Sequence, residues 1–268
     1  MSSVNVASAM VEGARLELRL PVPSLRPQVG CFWSMKTTPA TRLRTLPDAC
    51  TTLTVELREG APPECFITGP RLTPAERVPA AGQVFFGVRL LPGVAFLLTG
   101  ISIHRLTERR TRLAAVLPED APRFEESLAE EQTLEGRIDV LEEFLVQRLA
   151  GMNIDSRVER AFRAIEDSAG QIRMAQLARE CRISPRHLHR LVRNWVGLAP
   201  KRLARIMRFQ AVLKRMETAP PGGSQRVGVD LGYFDQAHLT NEIMQFVHAS
   251  PARIVAHRVA DFSKTRCE

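Results

Sequence analysis

The chain has 268 residues, 44% of them apolar and 25% charged, which is the balance of a globular protein and allows one large domain or two ordinary ones, each with a real core. The most apolar run, Gly93 to Ile103, is too short to span a bilayer, and Met1-Ser2-Ser3-Val4-Asn5 lacks the start of a secretory leader, so a cytoplasmic protein without a membrane partner is expected. Residues 1–152 carry 17 Lys/Arg against 18 Asp/Glu (−1) and residues 153–268 carry 20 against 11 (+9), so the whole net charge of +8 belongs to the C-terminal part, as expected of a region that meets a polyanion.

The N-terminal region, residues 1–136, is rich in proline and reads as a compact α+β regulatory or sensor domain. Leu53–Leu57, Glu64–Thr68 and Gln83–Leu90 combine β-branched, aromatic and alternating residues between turn clusters. Two helical stretches follow, Val94–Leu98 and the acidic Arg123–Gln132. Residues 137–152 form an amphipathic connecting helix with Ile138, Leu141, Leu145 and Leu149 on one face and Phe144 alongside. That stripe packs on its own domain or forms the seam of a homodimer, and both readings stay open.

From residue 153 to 260 the pattern is all-α. Helices are expected over Ser156–Ser168, Met174–Cys181, Pro185–Val196 and from Pro200 to about Glu217. Ser184 supplies a cap, Pro185 a first helical residue and Gly197 a left-handed stop. After Pro220-Pro221-Gly222-Gly223 come a short helix around Arg226–Leu231, another over Gln236–Phe246 and a last one from Pro251. The expected fold is thus an α+β domain followed by an all-α domain, in which one long helix joins two helix-turn-helix units. Residues 261–268 form a tail.

In a helix-turn-helix the second helix enters the major groove while its inner face packs on the first. Residues 185–196 meet both demands. Leu188, Leu191, Val192 and Trp195 fall on one side; Arg186, Arg190 and Arg193 fall opposite, with His187, His189 and Asn194 on the shoulders. This helix has no Asp or Glu, whereas a merely solvated one normally mixes them in for i,i+4 pairing. Arginine can donate two bonds to a guanine edge, which makes Arg186 and Arg190 the base readers, with Arg193 and Lys201 as phosphate contacts. Residues 171–215 carry 12 basic residues against Glu180, a net of +11, while residues 216–268 carry 5 against 6, a net of −1. The first unit should therefore dominate phosphate attraction. The second would add specificity through the neutral Gln236, Thr240 and Asn241.

Two runs carry a family resemblance. The first is Ile183-Ser184-Pro185-Arg186-His187-Leu188-His189-Arg190-Leu191 followed by Gly197. The second is Leu231-Gly232-Tyr233-Phe234-Asp235-Gln236-Ala237-His238-Leu239, then Phe246 and Ser250-Pro251. Over about residues 156–258 the chain resembles the AraC/XylS family of transcription regulators. The resemblance implies that Arg186, His189 and Arg190 face bases from the first unit, and that Gln236, Ala237, Thr240 and Asn241 do so from the second. His238 is read as structural. Asn241, Met244 and Gln245 stand where the family has a late basic residue, and His248 replaces its glycine. Gly222, Gly223, Ser224 and Gly228 are poor helix formers ahead of it, so groove insertion by the second unit is the weaker expectation. The N-terminal part resembles the uncharacterised domain that precedes this module in some family members. The carriers there are Pro21-Val22-Pro23, Cys31-Phe32-Trp33, Leu46-Pro47-Asp48-Ala49-Cys50, Gly69-Pro70 and residues 87–93.

The resemblance implies a sequence-specific regulator of transcription, an activator in the commoner mode, controlled by its N-terminal domain. Its partners would be double-stranded promoter DNA, RNA polymerase and an effector of unread chemistry. An adaptor working through protein contacts is the alternative. No phosphate-binding glycine loop, paired-His metal motif or nucleophile elbow is present, so no enzyme, cofactor or metal is expected. Five cysteines, Cys31, Cys50, Cys65, Cys181 and Cys267, are an odd number at wide spacing and read as reduced thiols. Convergence of Cys31, Cys50 and Cys65 as a thiol or metal sensor is a minor alternative. Asp48 and Arg89 are either a polar core pair or a ligand clamp.

Overall fold

Alternation along the strands decides which side chains face the helices. Phe32, Val88, Leu53 and Ile67 lie side by side across four neighbouring strands, all essentially inaccessible to solvent. A computed structural model describes residues 9–218, 228 and 230–247. In it these strands belong to a six-stranded antiparallel sheet ordered β2 (Leu16–Arg19), β3 (Val29–Lys36), β8 (Val84–Leu90), β5 (Thr51–Leu57), β6 (Glu64–Thr68) and β9 (Arg110–Arg112). The sheet's apolar face is covered by α1 (Val94–Thr99), α2 (Ala121–Glu130) and α3 (Leu134–Leu149). Ile138, Leu141, Leu145 and Leu149 of α3 are buried in that core, so the stripe that left a homodimer seam open is covered within the chain.

The opposite face of the sheet is more polar. It carries Cys31, Thr52, Thr54, Glu56 and Arg89, and looks across a cavity of about 270 Å³ to a small sheet ordered β1 (Ala9–Glu12), β4 (Arg42–Thr45) and β7 (Ala75–Arg77). Val11, Met35 and Phe85 close one part of this gap. Glu56 ties the sheets together and is only 1% exposed. Its carboxylate accepts from Arg77 of β7 at 2.6 Å and from Arg110 of β9. Burial alone would raise this carboxyl, but the Arg77 hydrogen bond and the charges of Arg110, Arg77 and Arg58 outweigh it and hold it below the usual carboxylate range.

The C-terminal region is helical, with α4 (Ser156–Asp167), α5 (Met174–Glu180), α6 (Pro185–Val196), α7 (Pro200–Thr218) and α8 (Gln236–Val247). The short helix expected around Arg226–Leu231 lies largely outside the described residues. The helix from Pro251, the tail, Ser250-Pro251, His248 and Cys267 lie wholly outside them. The helical core is not confined to the helices: Leu46 and Ala49, from the β4–β5 connection, are buried among Val158, Leu198, Phe209 and their neighbours. Gln210 of α7 donates to the carbonyl of Pro47 at 2.6 Å. Glu242 of α8, also buried, accepts from Arg205 at 2.8 Å and Arg208 at 3.2 Å on α7. Burial pushes its carboxyl up, and the two arginines help bring it below the usual range. No helix among the described residues is long and apolar enough to cross a membrane.

Both buried carboxyls titrate lower in the folded chain than the value of about 4.3 expected unfolded. Their contribution is complete above that value and is lost as pH falls through the folded values. Urea midpoints measured from pH 7 to 3 should therefore fall steeply on the acid side. Glu56→Gln and Glu242→Gln should each lower the neutral-pH midpoint and flatten that fall.

Candidate nucleic-acid interface

The first helix-turn-helix is built by α5 and α6. Their connection reverses at Arg182, whose φ of 54° is in the left-handed region that glycine adopts without strain. Ser184 then caps α6 by accepting from the His187 amide at 3.2 Å, with Pro185 in the first turn. Gly197 ends the helix at φ 87°, and a β-carbon there would come within 2.8 Å of the Thr107 hydroxyl. Along α6, Leu188, Val192 and Val196 are buried and Leu191 and Trp195 are half-buried. Arg186, His189, Arg190, Arg193 and Asn194 are exposed. Among the described residues none of the three arginines has a carboxylate partner, so the outer arc of α6 presents uncompensated positive charge. Lys201 and Arg202 extend it as exposed residues at the start of α7.

The structure departs from the sequence expectation at the far end of this helix. Trp195 was expected to be held by its own helix pair; its ring also stacks on Phe96 of α1, in the N-terminal domain, with centroids 4.3 Å apart. Ser102 and Thr107 reinforce the contact, the first bonding Asn194 Oδ1 at 3.0 Å and the second donating to the Gly197 carbonyl at 2.9 Å. Arg193, expected on phosphate, touches the His104 imidazole. No sequence signal pairs Phe96 with Trp195 across about a hundred residues. A large aromatic at the margin of α6's buried face was the available hint.

The second unit, net −1 by sequence, neutralises part of the positive charge counted with the first. Arg205 and Arg208 are engaged with Glu242, and Arg215 pairs with Asp230 at 3.1 Å. Asp235 caps α8 through the His238 amide at 2.7 Å, and His238 Nδ1 accepts from the Phe234 amide at 3.4 Å, a structural arrangement. Ala237 and Asn241 are exposed and Thr240 is half-buried, while the side chain of Gln236 lies outside the described residues. Gly232 turns the chain at φ 75°, where a β-carbon would collide with Gln171.

In the N-terminal domain Asp48 and Arg89 are ion-paired at 2.6 Å, and Cys31 and Cys50 lie near them. Cys65 is buried beside Glu125 instead, so the three thiols do not converge, and no metal-binding group of three His, Cys, Asp or Glu occurs among the described residues. Burial, with nearby acidic groups, pushes both the Cys50 and Cys65 thiols far up, which keeps them protonated. The Asp48–Arg89 pair stands in the wall between the inner cavity and a cleft of about 540 Å³ that reaches α4 and α7.

A short helix, a left-handed turn and a capped second helix with a cationic outer arc define a helix-turn-helix DNA-binding module. Comparison with known families agrees. Residues 177–256 match a helix-turn-helix domain, and residues 18–112 match a domain of unknown function, DUF6597. The chain thus carries an AraC-type helix-turn-helix domain, a DNA-binding module, behind a β-rich N-terminal domain. No curated protein matches it. Among solved structures, ToxT from Vibrio cholerae O395 is similar at 10% identity and a TM-score of 0.42, covering 93% of this chain and 98% of that one. The 1.65 Å P21 form of ToxT gives 9%, 0.44, 93% and 98%. ToxT from Vibrio cholerae strain SCE256 with bound unsaturated fatty acid gives 10%, 0.43, 93% and 95%.

A residue with a β-carbon at φ 54° carries conformational strain. Arg182→Gly should therefore raise stability by about 0.5–1 kcal/mol, and Arg182→Val should lower it, read as urea midpoints at pH 7.

Proposed function

We propose that this regulator is an activator that reads promoter sequence chiefly through α6, with Arg186, His189 and Arg190 at base edges and Arg193 and Lys201 at phosphates. The observation that carries the reading is the exposed, carboxylate-free arc of α6. Its opposite side is fixed by Leu188, Val192 and Val196, so the arginines are presented on a rigid element. Gln236, Thr240 and Asn241 contribute from α8 as a weaker second reader. They lack cationic side chains, and α8 is tied down by Glu242.

Control by the N-terminal domain has a physical route in the contact of α1 and the following turn with α6. An effector would act by changing that contact. The inner cavity and the cleft share the Asp48–Arg89 wall, which makes the cavity the natural place for a small molecule to be felt by α7. An adaptor role is disfavoured, because protein contacts give no reason for three arginines on one helix face with no carboxylate partner among the described residues.

Binding of the full chain to a duplex recovered by selection from random sequence should exceed binding to random duplex by ~10³ at physiological salt. Arg190→Ala should lose ~1–3 kcal/mol and relax one base position, whereas Lys201→Ala should weaken all sequences alike. Equal affinity for selected and random duplexes would sink the reading in favour of the adaptor.

Phe96→Ala removes the ring that supports Trp195 without touching the exposed arc. It should weaken binding to the selected duplex several-fold and leave the preferred sequence unchanged. An unaltered affinity would disconnect the N-terminal domain from DNA recognition.

A further inference from the structure

We propose that the N-terminal domain itself touches DNA: the strip containing His104, Arg105 and Arg109 continues the basic arc of α6 and grips the phosphate backbone beside the sequence that α6 reads. This rests on DNA recognition by α6 and adds a second protein surface to it.

Position is the first support. The 3-10 turn Ile103–Arg105 packs directly on α6, with Ile103 buried. The Ser102–Asn194 and Thr107–Gly197 bonds fix the register of that turn against the end of the recognition helix. Residues of the strip therefore travel with α6 as one surface, and the point of continuity is the contact of His104 with Arg193.

Charge is the second. Residues 104–112 contain four arginines, of which Arg110 and Arg112 are used internally, on Glu56 and Glu64. Arg105 and Arg109 are exposed and have no side-chain partner among the described residues. The one acid of the segment, Glu108, is half-buried and already engaged: it accepts from the amides of Leu72 and Thr73 and from Arg71 at 3.3 Å. The charge of the strip left without a side-chain partner among the described residues is thus positive. His104, Arg105, Thr107, Arg109 and Thr111 border an open groove of about 610 Å³.

The juxtaposition of His104 with Arg193 is the third. Arg193 donates to His104 Nε2 with no carboxylate between them, so a phosphate oxygen arriving there would find the remaining guanidinium N–H groups and the imidazole Nδ1–H, donors from both domains.

The same features discriminate against a protein partner. Protein interfaces have an apolar centre, yet the exposed large apolar side chains among the described residues (Leu20, Val22, Val78, Val146, Met152, Phe234 and Met244) all lie outside this strip. Ile101, Leu106, Ala115 and Val116 also line the groove, but none is a large exposed apolar side chain, and a cationic surface of this kind that extends a recognition helix fits duplex backbone.

The test uses the full chain and the duplex obtained by selection, with affinity measured from low to high salt. Arg105→Ala/Arg109→Ala should reduce the magnitude of the log–log salt slope by about 2 and weaken selected and random duplexes alike, about tenfold at low salt. Phosphate-ethylation interference should show backbone contacts flanking the bases read by α6, and those flanking signals should vanish in the variant. Arg105→Lys/Arg109→Lys, which keeps the charge, should keep most of the slope. Arg15→Ala/Arg123→Ala, which removes the same charge from elsewhere on the domain, should leave the flanking signals in place. Thermal midpoints near that of the parent chain establish that the variants are folded. A wild-type slope and unchanged interference pattern in Arg105→Ala/Arg109→Ala would overturn the proposal while leaving recognition by α6 intact. Failure of the unaltered chain to prefer any duplex would instead overturn the reading beneath it.

Discussion

Helix α6 must satisfy two opposed demands within 12 residues, and the rest of the molecule is arranged around that conflict. One side has to be desolvated to fix the helix, and the other has to stay charged and open. A single helix pair can cover only part of the inner side, because α5 is just 7 residues long. The shortfall is met from two directions. Leu188, Val192 and Val196 enter the helical core, while Trp195 leans out of it onto Phe96. Stacked aromatic rings bury a large area and add about 0.5–1.5 kcal/mol through their geometry. Helix α6 is thereby stabilised by both domains at once.

That shared burial blurs a boundary that the chain's chemistry draws sharply. Charge changes sign near residue 152, and strand patterning gives way to helical patterning at nearly the same place. Yet Leu46 and Ala49 complete the helical core, and Gln210 of α7 reaches Pro47. Burial is indifferent to chain order, so a loop of the β-rich domain can fill space left between helices as well as a helix can. A domain that supplies core residues to its neighbour is also mechanically coupled to it. On the proposed reading, a change in the connection that carries Asp48 would reach α7 through Leu46 and Ala49, which sit in the helical core.

What could be read from the chain followed from local rules. Cap chemistry placed α6 from Pro185 to Val196, because Ser184, Pro185 and Gly197 act within a few residues of themselves. Strands β5, β6 and β8 were legible for the same reason, since alternation and turn residues are local. The opened arc of arginines also followed from spacing alone. Long-range pairing was not legible. Nothing near Glu56 in the chain announces that Arg77 and Arg110 will close on it, and nothing near Glu242 announces Arg205 and Arg208. The net +11 of residues 171–215 was a correct count but an incomplete guide to the field, because part of that charge is cancelled by carboxylates further along the chain. Counting charge by segment treats neighbours in sequence as neighbours in space.

The two kinds of arginine in this protein show how a cation's role is set by its surroundings. Arg77, Arg110, Arg205 and Arg208 sit against buried carboxylates or over aromatic rings, where they repay the desolvation of a negative charge and lock elements together. Arg186 and Arg190 are exposed with apolar packing behind them and have no carboxylate partner among the described residues. An exposed arginine costs little to keep, so being unpaired is not by itself informative. Several of them on one rigid face that carries no acid are informative. Glu242 is spent on Arg205 and Arg208, and Glu108 on the backbone of residues 72 and 73. Each such carboxylate is occupied by a partner that needs it, which leaves the face around α6 positive. The field that would draw a duplex toward α6 is therefore a product of which acids are paired as much as of where the arginines stand.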